Sequence, residues 1–169
     1  GAIAGSSTYN KDTLNLVLNG DKAAGVTGLL KIASSYGGTK SGNRAEYMIG
    51  ACYLQLKQFD KAIKHLKEFD ANGASQVQSK AYLLLGHAYA KKKKTDDALD
   101  YYKKAGSIND LDDAMATEAI YMAARYAEAL GKSKEAVELF QELKDKYPAS
   151  QRVSSGEIDK YLGSLGVTK

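Results

Sequence analysis

Few residues in this chain have the type and spacing for chemistry. Cys52 is the single cysteine, and His65 and His87 are the two histidines. A cysteine nucleophile needs a base or a positive neighbour to form its thiolate, and neither histidine has a sequence relation that places it beside Cys52. Between Ala51 and Tyr53, Cys52 reads as a small packed side chain. Gly20, Gly25 and Gly28 invite comparison with a phosphate-binding loop. No Gly-Lys-Ser/Thr follows them and no buried strand precedes, so they read as a glycine-loosened helix pair. The carboxylates form no catalytic pair, triad or metal-spaced cluster. Asp112 and Asp113 stand where a helix begins, and acids there answer the positive end of the helix dipole. Lys91 to Lys94 is the one dense basic run, and at a hairpin tip it reads as a solvated turn. No catalytic residue, cofactor or metal ligand is assigned. His87, flanked by Lys80 and Lys91, is the histidine of interest and is expected to titrate near neutral pH.

The elements that carry these residues are periodic. In Ser79–Asp110, Tyr82, Leu85, Gly86 and Tyr89 fall three, four and seven apart, on one face of a helix. Ala98, Tyr102 and Ala105 mark a face of a second helix. Between them, Thr95 is placed to cap the second helix, and Asp96 and Asp97 suit its first turn. Glycine inside a helix costs about 1 kcal/mol relative to alanine. Gly86 is therefore expected to admit close approach of the second helix around Ala98.

The same pattern recurs. Gly50, Tyr53 and Ala62 precede Gly86, Tyr89 and Ala98 by 36 residues, and Ile120, Ala123 and Ala124 follow Tyr82, Leu85 and Gly86 by 38. Helices are expected over 43–56 and 59–69, over 111–130, and over 133–146, with Pro148 ending that unit. Upstream, helices are expected over 11–19 and 22–35, with Val26, Leu29, Leu30 and Ile32 inward and Gly25 in the slot that Ala98 fills later. Asn19-Gly20-Asp21 marks a turn between them. Tyr36-Gly37-Gly38-Thr39 echoes Tyr147-Pro148-Ala149-Ser150, so the opening pair reads as a degenerate copy. Ser154 followed by Glu157, ahead of Ile158, Tyr161, Leu162 and Leu165, predicts a capping-box start to a terminal helix.

Composition sets outer bounds. The chain has 169 residues, one proline and no tryptophan, which suits a single all-helical domain with a real core. Its net charge of +4 is spread along the chain, which argues against nucleic acid as the main partner. A single cysteine permits no internal disulfide. No run of 18 apolar residues occurs, so the chain as given is not expected to span a membrane. The start at Gly1 suggests a processed or expressed segment, with any upstream signal or anchor out of view.

The residues quoted above resemble the tetratricopeptide repeat family across 6–148. The usual repeat of 34 residues is lengthened at Ala71–Ala74 and Ile108–Asp112, and the opening aromatic is Tyr82 in one copy but Glu46 and Ile120 in the others. The resemblance implies an all-α fold, a right-handed α-α superhelix of three hairpins with a degenerate N-terminal helix pair and a C-terminal capping helix. As one domain over 1–169, it would divide into 6–42, 43–78, 79–116, 117–150 and 151–169. The family pattern puts the first helix of each hairpin on an inner wall. Here that wall would hold Arg44, Tyr47, Ala51, Leu54 and Gln55, then Lys80, Leu83, Leu84, His87 and Lys91, then Tyr121, Met122, Arg125 and Glu128. Leu84 and Met122 are also candidates for the core.

The implied function is a non-catalytic scaffold that holds a peptide or helix of a partner protein, one with an acidic element. The alternative is self-association as a homodimer through the groove or an array end. Tyr47 and Ala51 fill slots where some relatives clamp a C-terminal carboxylate, so a clamp of that kind is not expected. The run from Asn19 through Lys40 to Leu54 is further similar to repeat proteins of the Bacteroidetes cell envelope, among them periplasmic ancillary translocon subunits. That implies a periplasmic or envelope-associated setting, as the soluble part of an anchored protein.

Overall fold

Apolar positions spaced by three and four become helix through most of the chain in the computed structural model, which describes residues 10–167. Two compact units contain them, Gly1–Asp70 and Ala71–Lys169.

The first unit opens with α1 (Lys11–Asn19), started by the Asn10 side chain accepting from the Asp12 amide. Gly20 ends it with φ +76°. The helix expected over 22–35 is corrected here. Gly20–Asp21 (β1) pairs antiparallel with Val26–Thr27 (β2), and α2 covers only Leu29–Ser35. The Asp21 carboxylate accepts from the Ala23 and Ala24 amides at 2.9 and 3.2 Å, and this local turn outcompetes the helix. Val26, expected inward, is 55 % exposed. Gly25 sits in the turn at φ +69° with nothing near its absent side chain, so it is not a helix-packing glycine. Gly20 and Gly28 make the close approach instead. A Cβ on Gly28 would stand 2.2 Å from the Asn19 carbonyl carbon.

Two longer helices complete this unit, α3 (Lys40–Gln55) and α4 (Phe59–Glu68). Thr39 caps α3 by accepting from the Gly42 amide. Leu18, Ala33, Ala45, Ile49, Tyr53 and Ala62 form the core, with Leu29, Leu30, Ile32 and Cys52 packed against it.

The second unit holds α5 (Ser75–Lys91), α6 (Thr95–Gly106), α7 (Asp113–Ala129), α8 (Ser133–Lys146), α9 (Gln151–Ser154) and α10 (Glu157–Ser164). Helix α5 packs on α6, α6 on α7, and α7 on α8; α10 lies on α8. Two end signals read differently from expectation. Thr95 is the first helical residue of α6, Lys94 takes the cap position, and no side chain caps there. Ser154 closes α9 rather than capping α10; Gly156 at φ +76° intervenes, and the Glu157 carboxylate binds Arg152 instead. The terminal helix still covers the last hairpin, with Ile158 and Leu162 buried.

Gly86 also packs differently in detail. A Cβ there would meet the Tyr102 ring at 2.5 Å, one turn beyond Ala98, and one on Gly50 would meet Leu66 at 2.5 Å. Two devices recur between hairpins. Lys57, Lys93 and Gly131 all take positive φ after the first helix. The amide that follows each donates back to Tyr53, Tyr89 and Ala127, in the 6→1 pattern that closes helix ends. At the start of the first helix, a polar side chain grips the end of the second. Asn43 exchanges hydrogen bonds with the Asp70 backbone, and the Ser79 hydroxyl donates to the Ala105 carbonyl at 2.9 Å.

Candidate functional site

On α5 the buried residues are Ser79, Ala81, Leu85, Gly86, Ala88 and Tyr89. At 100° per residue they fill one side, and Lys80, Leu83, Leu84, His87 and Lys91 share the other. Lys80 and Lys91 are exposed, and neither forms an ion pair among the described residues. Leu83 and Leu84 are half-buried.

His87 is anchored from below. Tyr102, only 3 % exposed, brings its hydroxyl to 2.8 Å from His87 Nδ1, with the rings edge to face at 5.4 Å. Tyr126 meets the Tyr102 ring edge to face at 5.1 Å. Burial, with Tyr126 beside it, pushes the Tyr102 phenol up to about 12. Burial and then the Lys91 charge hold His87 below the ordinary imidazole range. The expectation that His87 titrates near neutral pH is therefore corrected downward, to a neutral ring at pH 7.

On α7 the buried residues include Ala116, Ala119, Ile120, Ala123, Ala124 and Ala127, which leaves Tyr121, Met122, Arg125 and Glu128 on the opposite side. Arg125 Nε pairs with Glu128 at 3.2 Å. Its guanidinium lies 4.2 Å from the centre of the Tyr161 ring, and Tyr161 stacks on Phe140 at 5.0 Å. The Tyr121 hydroxyl donates to Glu157 at 2.8 Å and lies 3.1 Å from the Tyr161 hydroxyl. Arg152 covers the Tyr121 ring at 3.7 Å, forks onto Glu118 at 2.7 and 2.8 Å, and reaches Glu157 at 3.1 Å. Tyr121 and Arg125 are thus brought together, but by contacts from the terminal segment. Burial, then hydrogen bonds to Tyr161 and Glu157, raise the Tyr121 phenol. The hydrogen bond from Arg152 holds Glu118 below the usual carboxylate range.

In the first unit, Arg44, Tyr47, Ala51 and Gln55 lie on the side of α3 opposite Ala45, Ile49 and Tyr53, whereas Leu54, expected on the same wall, packs against that core. Arg44 and Gln55 are exposed and the other three half-buried. The Tyr47 ring meets Phe69 at 5.4 Å, and burial raises its phenol.

Other reactive groups have local explanations. Burial raises the Cys52 thiol, which disfavours the thiolate. His65 Nδ1 pairs with Glu46 at 2.6 Å, and its ring stacks on Tyr53. No cluster of His, Cys, Asp or Glu that could hold a metal occurs among the described residues. None of the described helices is long and apolar enough to cross a membrane. A cavity of about 680 Å³ opens between the start of α7 and the chain around Pro148, away from the α5 face, and the Arg152–Glu118 pair lies in its wall.

Sequence reasoning missed Tyr126, Arg152 and Tyr161 as neighbours of this surface, and missed that buried Tyr102 holds His87 from beneath it. Tyr102 stood in the pattern as a core aromatic and Tyr161 as part of an apolar stripe. Arg152 lies outside the repeat pattern and carried no signal.

Tetratricopeptide repeat family models match residues 44–72, 79–114 and 118–150, together more than half of the chain. A search of curated proteins gives no match.

Proposed function

The chain belongs to the tetratricopeptide repeat family, and on that premise we propose that it is a non-catalytic scaffold whose partner segment lies along the outward face of α5, the first helix of its hairpin. Repeats of this family generally mediate contact between proteins. One observation carries the choice of surface. The α5 face sets half-buried Leu83 and Leu84 among Lys80, His87 and Lys91, with neither lysine in an ion pair among the described residues. Exposed apolar area next to charge suits a polypeptide better than a small polar ligand. The α3 face, with Arg44, Tyr47 and Gln55, is a second such surface in its own unit. The setting we propose is the bacterial cell envelope, on the resemblance of the run from Asn19 to Leu54.

A photo-crosslinking side chain at Leu83, compared with one at exposed Lys103 on α6, tests this in cells of the source organism. A discrete protein adduct from position 83 and none from 103 is expected. Adducts from 103 alone would overturn the assignment of the face.

Self-association has one observation in its favour. Leu16, Val17, Val26 and Tyr36 are large, apolar and exposed, and all belong to the opening part of the first unit. Light scattering over a wide concentration range tests it, and a constant monomer mass would remove it.

A further inference from the structure

The hydrogen bond beneath His87 fixes more than the position of the ring. Tyr102 keeps its phenolic proton at neutral pH, because burial holds that group up at about 12. A buried hydroxyl needs an acceptor, and His87 Nδ1 at 2.8 Å is the one it meets among the described residues. If Nδ1 carried the imidazole hydrogen instead, it would donate to the phenol oxygen and leave the phenol hydrogen stranded. With Nδ1 accepting, a neutral imidazole must carry its hydrogen on Nε2. That nitrogen has no partner among the described residues. Among the described residues the buried side-chain polar atoms without a partner are Thr117 Oγ1 and Ser150 Oγ, so Nε2, on a half-buried residue, keeps some access to solvent.

The charged residues on the His87 side of α5 are both positive. Lys91 stands one turn along α5 and Lys80 two turns back, on the same side. On α7 of the same unit, Arg125 and Glu128 pair with each other and offset one another. Lys91 adds a positive field at His87, which lowers its basicity beyond what burial does. A fixed N–H donor in a positive field favours a carboxylate over a neutral carbonyl.

We propose that His87 is a specificity-determining residue of this face: its Nε2–H, locked outward by Tyr102, receives a carboxylate from an acidic segment of the partner protein, with Lys80 and Lys91 on either side. This rests on the reading of the α5 face as the partner surface, and it adds the chemical class of the partner. Asparagine or lysine in the same place would also offer a donor. Histidine differs because the direction of its donor depends on a residue of the neighbouring helix.

The test has two arms. In ¹⁵N-labelled protein at neutral pH, the His87 ring nitrogens are expected to show Nδ1 bare and Nε2 protonated. Tyr102→Phe should convert this to a mixture of both forms. A protonated Nδ1 in the parent protein would overturn the proposal. In the second arm, oligoglutamate and oligoglutamine peptides are titrated in at low salt, with the His87 Nε2–H signal as the reporter. Oligoglutamate is expected to shift that signal and oligoglutamine to leave it alone. His87→Leu should weaken oligoglutamate binding about tenfold. His87→Gln, which retains an N–H donor, should stay within about threefold of the parent. Equal binding of the two peptides, or oligoglutamate binding that spares His87, would refute the acidic-partner assignment. Either failure leaves the surface itself to be judged by the crosslinks from position 83, so the two readings fall separately.

Discussion

Replacing Gly86 with alanine places one methyl group where the hairpin has no room. Its carbon would lie 2.5 and 2.6 Å from Tyr102 ring carbons. Ordinary carbon–carbon contact is about 3.5–4.0 Å, so the ring must retreat by about 1 Å. Tyr102 has little freedom to do so, because it is buried, bonded to His87 and packed on the edge of Tyr126. Overpacking of this kind costs ~1–3 kcal/mol, and a weakened hydrogen bond adds ~1. The alanine returns ~1 kcal/mol through helix propensity. The net expectation is destabilisation by ~1–3 kcal/mol. Gly163 is the internal control, since it lies in α10 of the same unit with nothing within 4 Å of its missing side chain. Alanine at 163 keeps the propensity gain, up to ~1 kcal/mol, and meets no obstruction. Urea unfolding followed by circular dichroism measures both, with the slopes compared to confirm that the same transition is observed. Equal midpoints for the two variants, or stabilisation by alanine at 86, would refute the argument that the glycine exists to seat Tyr102. Leucine at 86 should be worse than alanine, while Lys93→Ala should be nearly silent.

Lys57 and Lys93 hold the left-handed conformation that Gly131 holds in the third hairpin. Lys93→Gly should therefore stabilise by up to ~1 kcal/mol in the same urea assay, since the relief of left-handed strain exceeds the added chain entropy; a loss of stability would count against the strain argument. Arg152→Ala should loosen the terminal helix, because Glu118, Glu157 and Tyr121 lose a shared partner. A cost of ~1–2 kcal/mol and faster amide exchange in α10 than in α5 are expected, and unchanged exchange in α10 would refute it. The depressed basicity of His87 fixes the sign of one pH effect. Above the unfolded histidine value of about 6.5, both states are neutral and His87 contributes no slope. As pH falls below it, the unfolded chain takes up a proton that the folded chain resists, and stability drops until the folded value is passed. His87→Phe should flatten the melting-temperature profile in that acid window, and an unchanged profile would show that other groups set it.

The repeats were legible because close helix contact leaves a local mark. Gly50 and Gly86 must be small to admit Leu66 and Tyr102, and that requirement appears at one spacing in each hairpin. The stretch from Lys22 to Thr27 was misread because Val26, Leu29 and Leu30 continue a helical period that the backbone does not follow. The Asp21 side chain gives the amides of Ala23 and Ala24 a competing partner, and Gly25 supplies the positive φ for the return. Ser154 and Glu157 had the spacing of a capping box, yet Glu157 had a stronger claimant in Arg152. A periodicity argument registers which residues are apolar, and has no access to which polar group wins a contested carboxylate.

The surface followed the same division. Which residues of α5 face outward is a matter of phase, and phase is set by sequence alone. What those residues can do depends on partners far away in the chain. Tyr121 and Arg125 looked as available as Lys80 and His87, but Glu157, Tyr161 and Arg152 take up the first and Glu128 and Tyr161 the second. Those contacts join residues more than thirty positions apart, apart from the Arg125–Glu128 pair. A partner segment arriving at α7 would have to compete with pairs already made, whereas at α5 it would meet two lysines without an ion pair among the described residues and, on the proposed tautomer, an imidazole hydrogen. Competition of that kind weakens binding even where side-chain types look favourable. Within the second unit, the affinity for an acidic segment should therefore reside on α5, and substitutions at Lys80 and Lys91 should weaken it more than substitution at Arg125.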